Sequence, residues 1–213
     1  MGDTMASPQS RPPASLRPDR GRLFEIASEQ AGYFSTRQAG ASGFSRSLLS
    51  HHVKSGRFTR VRRGLYRLRE YPSSPREHVL AAWLAIGKDS AVVSHESALE
   101  LLELSDVIPD AVHLTVPRSR RNLPSLNGVR VHTTSRPLRR TDRVTRGGIV
   151  VTAATRSILD AADAGMAPEQ IEQAVVQAID AGLATTQQLR QGAQERGRRT
   201  AKLIERSLGQ AKR

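Results

Sequence analysis

The chain has 213 residues, 38% hydrophobic and 4% aromatic, and a formal charge of +13 from 33 basic and 20 acidic side chains. That length accommodates two small domains with aliphatic cores, and the absence of cysteine rules out disulfides, thiolate metal sites and cysteine nucleophiles. No apolar run approaches the roughly 20 residues that span a bilayer, and the N-terminus lacks the apolar centre of a signal peptide, so a cytoplasmic protein without membrane contact is expected.

The positive charge is unevenly spread. Residues 1–70 contain 13 basic and 5 acidic residues, against 11 and 8 in residues 71–150 and 9 and 7 in residues 151–213. Of the 33 basic residues, 29 are arginine, which a GC-rich coding bias would also produce. The uneven distribution is the better guide, because it places the excess where phosphate binding would need it.

Residues 1–21 are rich in Pro, Ser and Arg and nearly devoid of apolar residues, the composition of a disordered arm. Order is expected from Arg22. Leu23, Phe24, Ile26, Ala27 and Ala31 recur at helical spacing, and Gly32 ends that helix. Tyr33 and Phe34 read as a short extended link, and Ser35 or Thr36 caps a second helix reaching about Ala41. Ser45 caps a third, with Leu49 and Val53 facing inward beside Phe44. Arg46, Ser47, Ser50, His51 and Lys54 fall on its opposite side, and Gly56 stops it. Phe58, Val61, Leu65, Tyr66 and Leu68 then alternate with Arg57, Arg60, Arg62, Arg63 and Arg67 around Gly64, the pattern of a hairpin with a basic tip.

Residues 71–76 read as a linker, and residues 77–213 as a second domain ending in a basic tail. A helix is expected over 77–86. A short segment at 91–93 leads to Ser94, which caps a helix ending near Leu104. Strands follow at 111–116, 129–133 and 149–151, separated by basic loops at 118–121 and 136–146. Thr152 is placed as the cap of a helix through Asp163. Pro168 opens another through Ala181, and Thr185 or Thr186 starts a further one. The fold class is therefore α+β: an N-terminal winged helix-turn-helix over residues 22–70, then a mixed α/β domain.

Three helices with a basic hairpin suit double-stranded DNA. Arg46, near the start of the third helix, is placed to reach guanine O6 and N7. Ser47, Ser50 and His51 can meet bases or phosphates, and Lys54 a phosphate. Ser35, Thr36 and Arg37 stand at a helix start suited to phosphate. Arg57, Arg60, Arg62 and Arg63 line the hairpin, where they can follow the backbone or minor groove. A protein-interaction module with a solvated basic face would share the helix pattern, and the arginine-rich hairpin behind the helix favours DNA.

Elsewhere the chemistry is sparse. Ser94-His95-Glu96 holds the residue types of a catalytic triad, but consecutive residues cannot form a nucleophile–base–orienter chain. His51 and His52 diverge by about 100° on a helix and chelate poorly. His113 and His132 lie on candidate strands and read as structural rather than as a metal pair. Arg156 and Asp160 read as an i,i+4 ion pair. No catalytic residue, metal or cofactor is expected, and no phosphate-binding glycine loop is found.

The order GFSRSLL, SGRFTRVRRGLYRL, VVSHESALEL, VHLTVPR and GIVVTAATRSILDAA resembles the AbiEi family, the antitoxins of type IV toxin–antitoxin systems and related transcription regulators. The resemblance runs from about Leu23 to Asp163, continuing more weakly to Leu208. It implies an N-terminal winged helix that binds operator DNA and represses its own operon, with Ser45, Arg46, Ser47, Ser50 and the wing arginines as DNA contacts. It also implies a C-terminal antitoxin domain that opposes a nucleotidyltransferase-like toxin without needing a stable complex. Arg118, Arg120, Arg121 and Arg156 are candidates for that antitoxin surface. A solitary regulator with an assembly domain, or a degenerate nuclease-like protein, is the alternative.

Overall fold

The computed structural model describes residues 17–210 and divides into two compact units, with the boundary between Pro72 and Ser73. The expected arm falls outside the described residues over 1–16. Its last residues are ordered: helix α1 (Arg20–Ser28) begins two residues before Arg22, because Asp19 accepts a hydrogen bond from the Arg22 N–H at 2.9 Å and caps it.

The first unit continues with β1 (Tyr33–Ser35), α2 (Thr36–Ala41), α3 (Arg46–Lys54), β2 (Phe58–Arg62) and β3 (Leu65–Leu68). The expected extended link at Tyr33 and Phe34 is a full strand. It pairs antiparallel with β3, which is central in a three-stranded sheet, with Phe34 opposite Tyr66 and Ser35 opposite Leu65. Packing explains the strand. Phe34 is fully buried, stacked on Tyr66 at 5.8 Å and edge-on to Phe58 at 5.0 Å. The β2–β3 register shifts between Arg60 and Arg62, so the expected strict alternation breaks there and Arg62 is half-buried. Leu23, Ala27, Phe34, Ala39, Phe44 and Leu49 form the core.

The C-terminal edge of this unit takes in part of the expected linker. The Tyr71 hydroxyl donates to the Ser28 carbonyl at 3.2 Å, and its side chain packs against Gly32. A Cβ on Gly32 would lie 2.5 Å from the Tyr71 Cβ, and its φ of +86° also favours glycine.

The second unit has α4 (Glu77–Ile86), β4 (Val92–Val93), α5 (His95–Leu101), β5 (Val112–Pro117), β6 (Val129–Thr134), β7 (Arg143–Arg146), β8 (Ile149–Thr152), α6 (Ala154–Ala164), α7 (Pro168–Asp180), α8 (Thr186–Gln194) and α9 (Arg198–Gln210). Its sheet order is β6-β5-β4-β8-β7, with β5–β6 and β4–β8 parallel and β4–β5 and β7–β8 antiparallel. Strand β7 lies within the expected basic loop 136–146. Its sequence alternates Arg143, Val144, Thr145 and Arg146, and Val144 pairs with Val151. The aliphatic core joins Val79, Trp83, Leu99, Leu114, Val151, Ile158, Ile171, Leu189 and Ile204 from sheet and helices. The Trp83 indole N–H donates to the Ala91 carbonyl at 2.7 Å, satisfying the polar edge of a buried ring.

Two expected caps are different in the structure. Ser94 occupies the position before α5 but caps nothing; its hydroxyl accepts from Thr115 Oγ1 at 2.8 Å and meets His95 Nδ1 at 2.9 Å. Thr152 still belongs to β8, opposite Arg143, and its hydroxyl bonds Ser157 Oγ at 2.7 Å, so Ala153 precedes α6 instead. Helix α5 stops at Leu101 rather than near Leu104, since Glu103 and Ser105 take left-handed φ values of 59° and 66°.

Candidate nucleic-acid interface

Helix α3 has the two faces required of a reading helix. Ser45 accepts from the Leu48 N–H at 3.2 Å and fixes its start, while Ser47 Oγ lies 2.9 Å from Ser45 Oγ. At 100° per residue, Arg46, Ser47, Ser50, His51 and Lys54 share one side, and all five are exposed. Leu49 and His52 are buried on the other side. The inward partner of Leu49 is thus His52 and not Val53, which is only half-buried. The His52 ring sits 4.9 Å from Phe58 and 5.8 Å from Phe44, completing the aromatic seam. Burial, followed by the nearby charges of Arg57, Arg20 and His51, lowers its pKa and keeps it neutral.

The wing stands beside this helix. Arg57, Arg60 and Arg63 are exposed and Arg62 half-buried. The positions at the start of α2 are more constrained than expected. Ser35 accepts from Gln38 N–H at 3.1 Å in a capping box, and Thr36 directs both its N–H and its hydroxyl to the Gly64 carbonyl, at 2.9 and 3.3 Å. Ser35 thus fixes the start of α2, and the Thr36 bonds tie that start to the wing turn, so their first role is to set helix against wing. Arg37 is exposed next to them.

The second unit holds a polar cleft of about 830 Å³ between sheet and helices. His95, His132, Arg136, Arg139, Arg156 and Arg196 line it together with Asp160 and Asp163. Arg156 Nε donates to both oxygens of Asp160, at 2.9 and 2.7 Å, as the i,i+4 spacing implies. Sequence spacing could not show that Arg196 also reaches Asp160, at 2.5 Å, and Asp163, at 2.7 Å, or that Thr200 donates to Asp163. Burial disfavours the Arg196 charge, but Asp160 and Asp163 more than offset it and raise its pKa. Arg118 and Arg120 lie on a 3-10 turn after β5, and Arg120 donates to Ser90 Oγ. Neither they nor Arg121 line the cleft with Arg156, so the four candidate antitoxin residues are divided between two places.

His95 joins His113 and His132 at one end of this cleft. Its ring stacks on His132 with centroids 3.6 Å apart, and His132 Nε2 lies 3.3 Å from His113 Nδ1. Burial first, then the neighbouring imidazoles, hold His95 at a pKa of about 2 and His132 at about 4, so both are neutral at physiological pH. The pairing of β5 with β6 predicts only the proximity of His113 and His132; His95 arrives from the start of α5, which no local pattern indicates.

A three-helix unit with a paired basic wing and an exposed polar face on α3 is a winged helix-turn-helix, a fold that many DNA-binding regulators share. Residues 22–69 match the family model described as a transcriptional regulator, AbiEi antitoxin, and the resemblance carried by the motifs is borne out over that segment. The match lies within the first unit and covers less than half of the chain. No curated protein matches the chain. Among solved structures, the crystal structure of the RV2827C protein from Mycobacterium tuberculosis is similar, with a TM-score of 0.60 and 17% identity over 93% of this chain and 80% of that one. At that identity the likeness concerns the fold. Among the described residues, no helix is long and apolar enough to cross a membrane.

Proposed function

We propose that the protein is a cytoplasmic transcriptional autorepressor and the antitoxin of a type IV toxin–antitoxin system, opposing a nucleotidyltransferase-like toxin. It acts by binding rather than catalysis. The first unit binds double-stranded operator DNA: Arg46, Ser47, Ser50 and His51 face the major groove, and Lys54 and the wing arginines hold phosphates. The observation that carries this reading is the division of α3 into a buried seam at Leu49 and His52 and an exposed polar face beginning at a capped Arg46. The second unit supplies antitoxin activity without a lasting complex with the toxin.

Gel-shift titration with the promoter DNA of the gene's own operon tests the first half. The expected result is saturable binding that outlasts competition by random DNA, and loss of the promoter complex to an equal amount of random DNA would refute it. Co-expression with an adjacent nucleotidyltransferase-like gene tests the second half. Growth rescue by residues 73–213 supports it, and repression without rescue would leave a solitary regulator.

A further inference from the structure

We propose that His95, His113 and His132 form a binding site for a divalent ion of the zinc class, with its open coordination position facing the cleft. The three imidazoles come from separate elements: the start of α5, β5 and β6. Each offers a ring nitrogen, and these atoms all lie within 4.8 Å of one another. Zinc–imidazole bonds of about 2.0–2.1 Å in tetrahedral array place ligand nitrogens roughly 3.4 Å apart. His132 Nε2 and His113 Nδ1, at 3.3 Å, already have that spacing. The third nitrogen, on His95, lies within 4.8 Å of both, and because the His95 ring stacks on His132 with centroids 3.6 Å apart, its ring must turn about the broad Cβ–Cγ torsion as the ion binds.

The surroundings are those of a built site. His113 is 1% exposed, and its Nε2 is buried without a hydrogen-bond partner. The carboxylates of Glu96 and Asp110 have oxygens within 4.8 Å of a His113 ring nitrogen and place negative charge beside the trio. His95 Nδ1 is engaged by Ser94 Oγ, which Thr115 in turn hydrogen-bonds, so its other nitrogen is left for a ligand role. His95 and His132 line the cleft while His113 does not, so an ion held by all three is approached from the cleft side. Three imidazoles and an open position suit zinc or cobalt(II) over magnesium or calcium, which prefer oxygen.

The test uses the full chain, stripped with a chelator and dialysed, then titrated with zinc chloride by calorimetry and with cobalt(II) by visible absorption. The expected result is one ion per chain, a tetrahedral cobalt spectrum and a higher melting temperature with zinc. His132→Gln and His113→Gln should each abolish stoichiometric binding, Ser94→Ala should weaken it about 10- to 100-fold, and exposed His78→Gln should leave it unchanged. Should His113→Gln fail to fold by circular dichroism, His132→Gln, at a half-buried position, decides the matter. Absence of stoichiometric binding by the wild type would overturn the proposal in favour of a purely hydrogen-bonded histidine cluster. So would undiminished binding in folded His132→Gln.

Discussion

Replacing Arg46 and Arg63 by alanine separates the two jobs assigned to helix and wing. Arg46 is the first residue of α3 and is exposed at the edge of its polar face, where the proposed function sets its guanidinium toward the groove. A bidentate arginine–guanine pair contributes about 1–3 kcal/mol of discrimination. At about 1.4 kcal/mol per decade, Arg46→Ala should weaken operator binding roughly 5- to 150-fold and flatten the preference at one base position. Arg63 sits at the exposed tip of the wing, where a phosphate contact is the natural role. Each phosphate contact contributes about 0.9 to the slope of log affinity against log salt. Between about 50 and about 200 mM salt, Arg63→Ala should therefore lose roughly 3.5-fold less affinity than the wild type, on operator and random DNA alike. Fluorescence anisotropy on operator, on operators changed at single positions and on random DNA, each at several salt concentrations, measures these effects. Equal loss on both DNAs for Arg46→Ala, or an unchanged salt slope for Arg63→Ala, would refute the assignment.

Three further outcomes are expected. Ser45→Ala removes the hydroxyl that caps α3 at Leu48 and should cost about 1 kcal/mol in urea denaturation; an unchanged midpoint would show that the cap is dispensable. His52 has a lowered pKa when folded, whereas the unfolded chain takes up its proton near the ordinary value of about 6.5. Its contribution is thus complete above that value and is lost as pH falls below it, so the wild type should lose more stability than His52→Leu between about pH 7.5 and about pH 5.5. Parallel pH profiles of the two proteins would contradict this. Asp160→Asn leaves Arg156 and Arg196, each with 22% side-chain exposure, without the buried carboxylate they share. The expected cost is about 3–5 kcal/mol, followed by Trp83 fluorescence in urea, and a loss below about 1 kcal/mol would mean that the network is solvent-screened.

Local pattern was sufficient for what depends on neighbours along the chain. The alternation of apolar residues, the Ser45 cap and the glycines at 56 and 64 determine α3 and its hairpin, and the exposed face of α3 carries the residues that its periodicity puts there. Partnering between distant segments was not legible. Tyr33–Ser35 is too short to declare itself a strand, and becomes one because β3 lies open beside it and Phe34 fills the core. His52 is a polar residue by type, yet it is the aromatic seam of Phe44 and Phe58 that draws it inward in place of Val53.

The same distinction governs the sites. Sequence by itself determined a basic winged helix-turn-helix and the side of α3 that meets solvent, because a helix repeats every 3.6 residues whatever surrounds it. Only the tertiary structure decided that Asp160 takes Arg196 from 36 residues away as well as Arg156. It alone decided that Thr36 is tied to the wing turn and that His95 completes a trio with His113 and His132. Those arrangements depend on which elements the two cores bring together, and contacts between segments far apart in the chain leave no periodic trace within either segment.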